Sequence, residues 1–266
     1  LPLHRDVVAR RGTEVVPMPV DERGARTDLL ATPEFAAVRV AVATPAHQFP
    51  IGVTMRPDRR HAVTAWASSH DGYVVEDDYD GEYRYDRQPI GALQGTSPER
   101  VIYVGTSAKT LGPGVRLAWM VVPPALIDGI TDAKMHADVQ TEAIGQLALA
   151  DLITSHGYDR HIRSCRLRYR RRRDALVERV RSLPLHGIAA GLQALVTLPE
   201  SGPTEREVLR RADRLGLAVG HLSMFRLSAR PSTEGIVVGY GTPPEHAYAA
   251  ALDALARALT PDATSI

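Results

Sequence analysis

Short apolar runs alternate with helical stretches in the first half of the chain. These runs predict strands at 14–17, 38–43, 73–76, 101–105 and 117–122. Several lack the polar alternation of a half-exposed strand, which is typical of strands buried in a parallel sheet. Residues 57–69 predict a helix that begins at Pro57. Strands that alternate with helices predict an α/β domain with a mostly parallel sheet.

The pattern changes after residue 125. Helical periodicity predicts helices at 126–155, 158–183, 204–215 and 244–259, with strands at 192–198 and 236–240. We therefore predict a large domain over residues 1–157, followed by a linking helix and a small α+β domain over residues 158–266. The first residues, His4 to Arg11, resemble the last part of a helix. We expect the large domain to be incomplete at its N-terminus.

The charge balance excludes some classes of protein. The chain has 32 Lys and Arg and 31 Asp and Glu residues, a net charge of +1, without the basic excess of a nucleic-acid or membrane-surface binder. A single cysteine, Cys165, leaves no intrachain disulfide and no thiolate metal cluster. No apolar run is long enough to span a bilayer, and no signal peptide opens the chain. We therefore expect a cytoplasmic protein without a metal.

A lysine follows the predicted strand 101–105 in a loop rich in Gly, Ser and Thr. The chain has only two lysines, Lys109 and Lys134, and no asparagine. A partly desolvated amine has a lowered pKa, so Lys109 suits Schiff-base chemistry. Nearby hydroxyls and the Arg116 guanidinium are suited to hold a phosphate. The alternative is an ordinary surface lysine.

Polar side chains also follow the other two strands. Three carboxylates, Glu76 to Asp78, end the strand that begins at Tyr73, and a loop with His47 and Gln48 follows the strand 38–43. Adjacent carboxylates favour a cationic partner, such as a pyridinium nitrogen or a metal, unless they form a solvated turn. Ligands of parallel sheets bind beyond the carboxyl ends of the strands, so these segments are expected to face one cleft.

Three ordered motifs resemble one family. They are TP-x-HQFP-x-G at 44–52, EDDYD at 76–80 and GT-x-x-KTL-x-PG-x-R-L at 105–117. Together they are similar to the aminotransferase-like domain of MocR-type regulators in the GntR superfamily, which is related to fold-type-I pyridoxal-phosphate (PLP) aminotransferases. The resemblance extends through the Arg-rich helix to the strand near residue 236. It implies a fold-type-I α/β large domain with a mostly parallel sheet and a small α+β C-terminal domain.

The resemblance also implies residue roles around pyridoxal 5′-phosphate. Lys109 would carry the cofactor as a Schiff base and act as the catalytic residue. Asp77 would pair with the pyridine nitrogen, and Tyr79 would hydrogen-bond the phenolic oxygen of the ring. Thr106 and Arg116 would bind the phosphate.

Two roles of the family have no obvious residue here. Many fold-type-I enzymes use an asparagine beside the phenolic oxygen, and the resemblance assigns this role to Gln48 or His47. Aminotransferases also hold the substrate carboxylate with an arginine. The strand 236–240 contains no arginine, so Arg226 and Arg230 are the nearest candidates.

The resemblance leaves two functions open. The first is a PLP-binding effector or sensor domain of a MocR-type regulator, which the missing arginine favours. The second is an active PLP-dependent aminotransferase acting on an amino acid or amine. A PLP-free scaffold is a weaker third alternative. The expected partners are a small amine or amino acid and a second copy of the chain. DNA would bind only through an N-terminal winged helix, which these 266 residues do not contain.

Overall fold

The computed structural model describes residues 2–85, 90–227 and 233–260. The chain divides into two compact units. The first unit comprises Met18–Gln48 and Val53–Leu167. The second unit comprises Leu1–Pro17, Phe49–Gly52 and Arg168–Ile266. The domain boundary that the sequence suggests after residue 157 stays a prediction.

The first unit is built on a four-stranded sheet with the order β3-β4-β5-β6. Its strands are β3 (Val40–Ala43), β4 (Tyr73–Asp78), β5 (Val101–Thr106) and β6 (Ala118–Val121). The first three are parallel, and β6 runs antiparallel to β5. A separate hairpin consists of β1 (Val20–Asp21) and β2 (Gly24–Ala25). The mostly parallel sheet is as predicted, but residues 14–17 form no strand.

Strand β3 is less buried than its sequence suggests. Its alanines, Ala41 and Ala43, are buried, whereas the side chains of Val40 and Val42 are 51% and 63% exposed. Successive side chains of a strand point to opposite faces, so only one face of β3 is covered within the described residues. The prediction of a strand buried on both faces is wrong for this part of the chain.

Seven α-helices lie within the described residues. They are α1 (Pro2–Ala9), α2 (Pro57–Ser69), α3 (Ile127–Asp138), α4 (Ala143–Thr154), α5 (Gly157–Arg179), α6 (Glu205–Arg214) and α7 (Tyr248–Leu259). Within this part of the chain, no helix combines the length and the apolarity that a bilayer crossing requires.

The predicted helical stretch 126–155 consists of two helices. Helix α3 ends at Asp138 because the next residue, Val139, has a φ of +62°, and an α-helix requires a negative φ. A positive φ is rare for a β-branched residue. The Glu142 side chain then accepts a hydrogen bond of 2.8 Å from the backbone N–H of Gly145 and caps α4. Neither α3 nor α4 has a buried side chain.

Helix α2 packs on the sheet and anchors the β1–β2 hairpin. Val63 and Ala67 of α2 are fully buried. The buried Arg59 guanidinium donates a 2.7 Å hydrogen bond to the Asp21 carboxylate, and this bond lowers the pKa of Asp21 to about 2. A carboxylate held by a buried guanidinium fixes the hairpin against the helix.

The second unit is an antiparallel sheet with helices, as the α+β pattern predicts. Its strands are β7 (Leu185–His186), β8 (Gln193–Thr197), β9 (Gly220–His221) and β10 (Gly235–Gly239), in the order β7-β8-β10-β9. Helix α6 begins with a capping box in which Thr204 and Glu207 bind each other's backbone N–H groups. The Glu205 carboxylate accepts a 2.8 Å bond from the backbone N–H of Gly235, which joins α6 to β10.

Candidate functional site

The acidic motif and the lysine motif lie at the ends of two neighbouring strands. Strands β4 and β5 are parallel, with Asp77 opposite Val104 and Asp78 opposite Gly105. The loop with Lys109 begins directly after Thr106, the last residue of β5. Both motifs therefore lie at the carboxyl edge of one sheet, as expected.

The strand alternation of β4 separates its carboxylates. Glu76 and Asp77 point to opposite faces, because successive side chains alternate. Glu76 is 2% exposed and accepts hydrogen bonds of 2.9 and 3.0 Å from the backbone N–H groups of Leu93 and Gln94. Burial nevertheless raises the pKa of Glu76. Glu76 therefore holds the loop that contains Leu93 and Gln94. Asp77 lies on the other face of β4 and is half-buried.

Asp78 shares the face of Glu76. Its carboxylate accepts a 2.8 Å hydrogen bond from the Tyr103 hydroxyl of β5. Burial raises the pKa of Asp78, and burial together with the nearby Asp78 charge raises the pKa of Tyr103. Neutral donors thus bind both carboxylate oxygens of Glu76, which does not require the cationic partner that the sequence suggests. In Asp78 the Tyr103 hydroxyl binds one oxygen, whereas the buried Oδ1 has no hydrogen-bond partner among the described residues.

His47 is held next to Tyr79. The His47 ring is buried, and its Nδ1 lies 2.8 Å from a carboxylate oxygen of Asp80. The Tyr79 hydroxyl donates to the backbone carbonyl of His47 at 3.1 Å, and the two rings stack. Gln48, the other candidate of this loop, donates its backbone N–H to the carbonyl oxygen of Val53. The structure therefore brings His47 and Tyr79 together at the end of β4.

Internal hydrogen bonds shape the lysine loop. The fully buried Ser107 donates both its backbone N–H and its hydroxyl to the carbonyl oxygen of Leu117, at 3.0 and 2.9 Å. The Thr106 hydroxyl also donates to Leu117, at 3.3 Å. The buried Tyr83, which follows β4, donates its hydroxyl to the Lys109 carbonyl oxygen at 3.2 Å. The backbone around the lysine is thus fixed to both neighbouring segments.

The two lysines differ in their surroundings. Lys109 is exposed at the carboxyl edge of the sheet, so the partial desolvation that the sequence suggests is not seen among the described residues. Lys134 forms an ion pair of 2.9 Å with Asp138, one turn away on α3. Arg116 is exposed and has a φ of +56°, a left-handed conformation that is uncommon for residues other than glycine. Strained backbone of this kind clusters at ligand sites.

The predicted substrate arginines lie elsewhere in the chain. Arg226 belongs to the second unit, where its guanidinium donates to the carbonyl oxygen of Thr233. Arg230 lies outside the described residues. The substrate role of both arginines stays a prediction, as do the cofactor roles of the residues in the first unit.

Two residues that organise this edge, Asp80 and Tyr83, were not among the candidates predicted from the sequence. Asp80 is the last residue of the EDDYD motif, but its partner His47 lies 33 positions away. Tyr83 comes three positions later, and its hydroxyl supports the lysine loop. Asp80 could have been selected as a motif carboxylate, but no signal in the sequence marks Tyr83.

Comparison with known proteins supports the resemblance to regulators. The HTH-type transcriptional regulator YhdI of Bacillus subtilis is 38% identical over 204 residues, which cover 74% of this chain and 43% of the relative. The probable rhizopine catabolism regulatory protein MocR of Rhizobium meliloti is 34% identical over 236 residues, or 86% of this chain and 47% of the relative. The chain thus spans about half the length of these relatives. The predicted resemblance to MocR-type regulators is confirmed.

The fold is that of solved aminotransferases. A structure of Pyrococcus horikoshii kynurenine aminotransferase, in complex with PMP and with KYN and KYA, matches with a TM-score of 0.82 and 29% identity. The match covers 94% of this chain and 64% of that chain. The predicted fold-type-I class is confirmed. The family model for aminotransferase class I and II matches residues 2–245. The chain belongs to the aminotransferase class I and II family.

Proposed function

We propose that this chain is the PLP-binding, aminotransferase-like effector domain of a MocR-type regulator of the GntR superfamily. The observation that carries the proposal is the position of Lys109. Its loop follows β5 at the sheet edge where the neighbouring β4 presents Asp77. The HTH-type transcriptional regulator and the regulatory protein MocR that match the chain support the regulatory role.

The side chains at this edge fit PLP by their chemistry. Lys109 supplies an amine, and Asp77 supplies a carboxylate for the ring nitrogen. The Tyr79 hydroxyl suits the phenolic oxygen. Thr106 and Arg116 offer a hydroxyl and a guanidinium, which suit a phosphate. This set includes a partner for each polar group of the cofactor.

Each residue has a defined task in this proposal. When bound, PLP supplies an electrophilic carbonyl carbon and an electron-withdrawing ring. Lys109 holds the cofactor covalently, since its amine is exposed and its backbone is fixed. Asp77 keeps a proton on the ring nitrogen, because a carboxylate favours the charged pyridinium over the neutral form. Arg116 orients the cofactor through its phosphate.

The test is a PLP titration of the purified chain and of two lysine variants. We expect the visible absorption of the lysine-bound cofactor in the wild type and in Lys134→Ala, but not in Lys109→Ala. Borohydride reduction followed by peptide mass spectrometry identifies the modified lysine. Lys134 is the matched control because its ammonium is paired on an exposed helix. A band that survives in Lys109→Ala and disappears in Lys134→Ala would refute the assignment.

The alternative function is an active aminotransferase. The similarity to the kynurenine aminotransferase structure favours it. The absence of an arginine from β10, whose sequence is GIVVG, argues against it, because a bidentate arginine is the best holder of a substrate carboxylate. We expect the chain to bind amino acids or amines without sustained keto-acid production. Keto-acid production at about 10 turnovers per second would favour the active aminotransferase.

The partners follow from the same proposal. The effector would be a small amine or amino acid, and Lys109 would hold the cofactor that binds its amino group. A second copy of the chain completes a homodimer, and DNA binds through an N-terminal winged helix of the whole regulator. The exposed apolar side chains of α3 and α4 support association, with Ile144 82% and Leu147 70% exposed.

A further inference from the structure

A buried His–Asp pair lies directly behind the tyrosine of the site. The side chains of His47 and Asp80 are 3% and 2% exposed, and Nδ1 of the imidazole lies 2.8 Å from Oδ2 of the carboxylate. A buried charged or polar group without a hydrogen bond is costly, so this pair is expected to be fully bonded. The proposed function gives Asp80 no task.

The pair determines which histidine nitrogen carries a proton. An ionised carboxylate can only accept hydrogen bonds. With Asp80 as the ionised acceptor, the 2.8 Å contact places a proton on Nδ1 of His47 that is directed at Asp80. This assignment follows from the hydrogen-bond network, which is the usual basis for assigning a histidine tautomer.

The tautomer in turn sets the direction of the Tyr79 hydroxyl. The hydroxyl oxygen lies 3.2 Å from Nδ1 of His47 and 3.1 Å from the His47 carbonyl oxygen. An unprotonated Nδ1 would accept the hydroxyl proton. With Nδ1 protonated toward Asp80, the imidazole cannot take it. The Tyr79 hydroxyl then donates to an oxygen, which in this structure is the His47 carbonyl oxygen.

We propose that Asp80 is a positioning residue, which acts through His47 to keep the Tyr79 hydroxyl available as a donor to the phenolic oxygen of the cofactor. This inference rests on the proposed function, because it assumes that PLP binds at the end of β4. In this arrangement Asp80 contacts His47, and His47 contacts Tyr79, the residue that would bind the cofactor. Without Asp80, the imidazole would compete with the cofactor for the same proton.

The first measurement reads the tautomer without the cofactor. Nitrogen-15 NMR of the histidine rings, with His47→Gln to assign the signal, should show Nδ1 of His47 protonated in the wild-type chain. Asp78→Asn should also leave Nδ1 of His47 protonated, because the Asp78 carboxylate accepts its hydrogen bond from the Tyr103 hydroxyl and not from His47. An unprotonated Nδ1 in the wild type would overturn the inference whatever the result with PLP.

The second measurement is a double-mutant cycle on PLP affinity with Tyr79→Phe and Asp80→Asn. The asparagine keeps the shape of the aspartate and removes its charge. In the wild type, loss of the Tyr79 hydroxyl should weaken PLP binding about 2- to 10-fold, the usual range for one hydrogen bond. In the Asp80→Asn background, the same loss should change the affinity less than about twofold.

The outcomes separate the inference from the proposed function. A purely structural Asp80 would lower stability but leave the contribution of Tyr79 unchanged, and this additive result would overturn the inference while PLP binding stands. Loss of the coupling in Asp78→Asn as well would also overturn it, since the Asp78 carboxylate binds Tyr103 and not His47. A wild-type chain without Lys109-dependent PLP absorption would instead refute the proposed function, and with it the role of Asp80 toward the cofactor.

Discussion

Adjacent carboxylates on β4 should have separable effects on stability and cofactor binding. We compare Glu76→Gln with Asp77→Asn, two changes that each replace a carboxylate by an amide of the same shape. Glu76 is buried and accepts backbone N–H groups from Leu93 and Gln94 with both carboxylate oxygens. Asp77 is half-buried on the other face, where the proposed cofactor would lie.

The expected magnitudes follow from these contacts. The glutamine amide has one acceptor oxygen, so one of the two backbone N–H groups loses its partner in Glu76→Gln. An unsatisfied buried donor costs about 1–3 kcal/mol of unfolding free energy. Asp77→Asn should cost less stability than Glu76→Gln, because the Asp77 side chain is half-buried and that of Glu76 is buried. It should weaken PLP binding about 10- to 100-fold, because a charge-assisted bond to the pyridinium is worth about 1.5–3 kcal/mol.

Two assays on the same preparations test this contrast. Urea unfolding gives the free energy of unfolding without cofactor, and an absorption titration gives the PLP dissociation constant. Asp78→Asn is the control for a carboxylate at the same strand end. Equal losses of PLP affinity in all three variants would refute the reasoning and indicate a solvated acidic turn or a metal site. A stability loss confined to Asp77→Asn would show that the faces of β4 are assigned in reverse.

Three further predictions concern pH and association. Burial raises the pKa of Glu82 above its ordinary 4.5. The folded form therefore loses stability as the pH rises from 4.5 through the raised pKa. Glu82→Gln should reduce this loss, which urea unfolding at several pH values measures. Burial alone would raise the pKa of Glu205, but the hydrogen bonds from Ser223 and Gly235 lower it more, so the pKa lies below its ordinary 4.5. Glu205→Gln should therefore cost about 1–3 kcal/mol at pH 7, and this difference should shrink as the pH falls below 4.5, which the same series measures. Sedimentation of the whole regulator at micromolar concentration should give a dimer, and a monomer would count against the proposed second copy.

Much of the fold could be predicted because local signals agree with the tertiary structure. Pro57 marks the first residue of α2, as the preference of proline for that position indicates. The position of the break between α3 and α4 could not be predicted, because no sequence signal marks the positive φ of Val139. The predicted burial of β3 was too high. Apolar side chains show that a strand could be buried, but they do not show whether another element covers it.

Some residues of the candidate site could likewise be predicted from the sequence, and others could not. Lys109 and Asp77 could be identified because they stand in contiguous motifs at predicted strand ends. The bond between His47 and Asp80 could not, since it joins residues 33 positions apart. Such pairs depend on how two loops meet in space, and a single sequence carries no record of that.

The antiparallel pairing of β5 and β6 also has a consequence for folding kinetics. Thr106 pairs with Ala118 across the Lys109 loop, whereas β4 pairs with β5 through residues as far apart as Val74 and Val101. Contacts of short sequence separation lose less entropy on closure and form faster. We expect the loop to close first and the Asp77 strand to join later, so that the amine and its carboxylate meet only near the end of folding. Pulsed hydrogen exchange should accordingly protect the amides of the β5–β6 pair before those that join β4 to β5, and simultaneous protection would contradict this order.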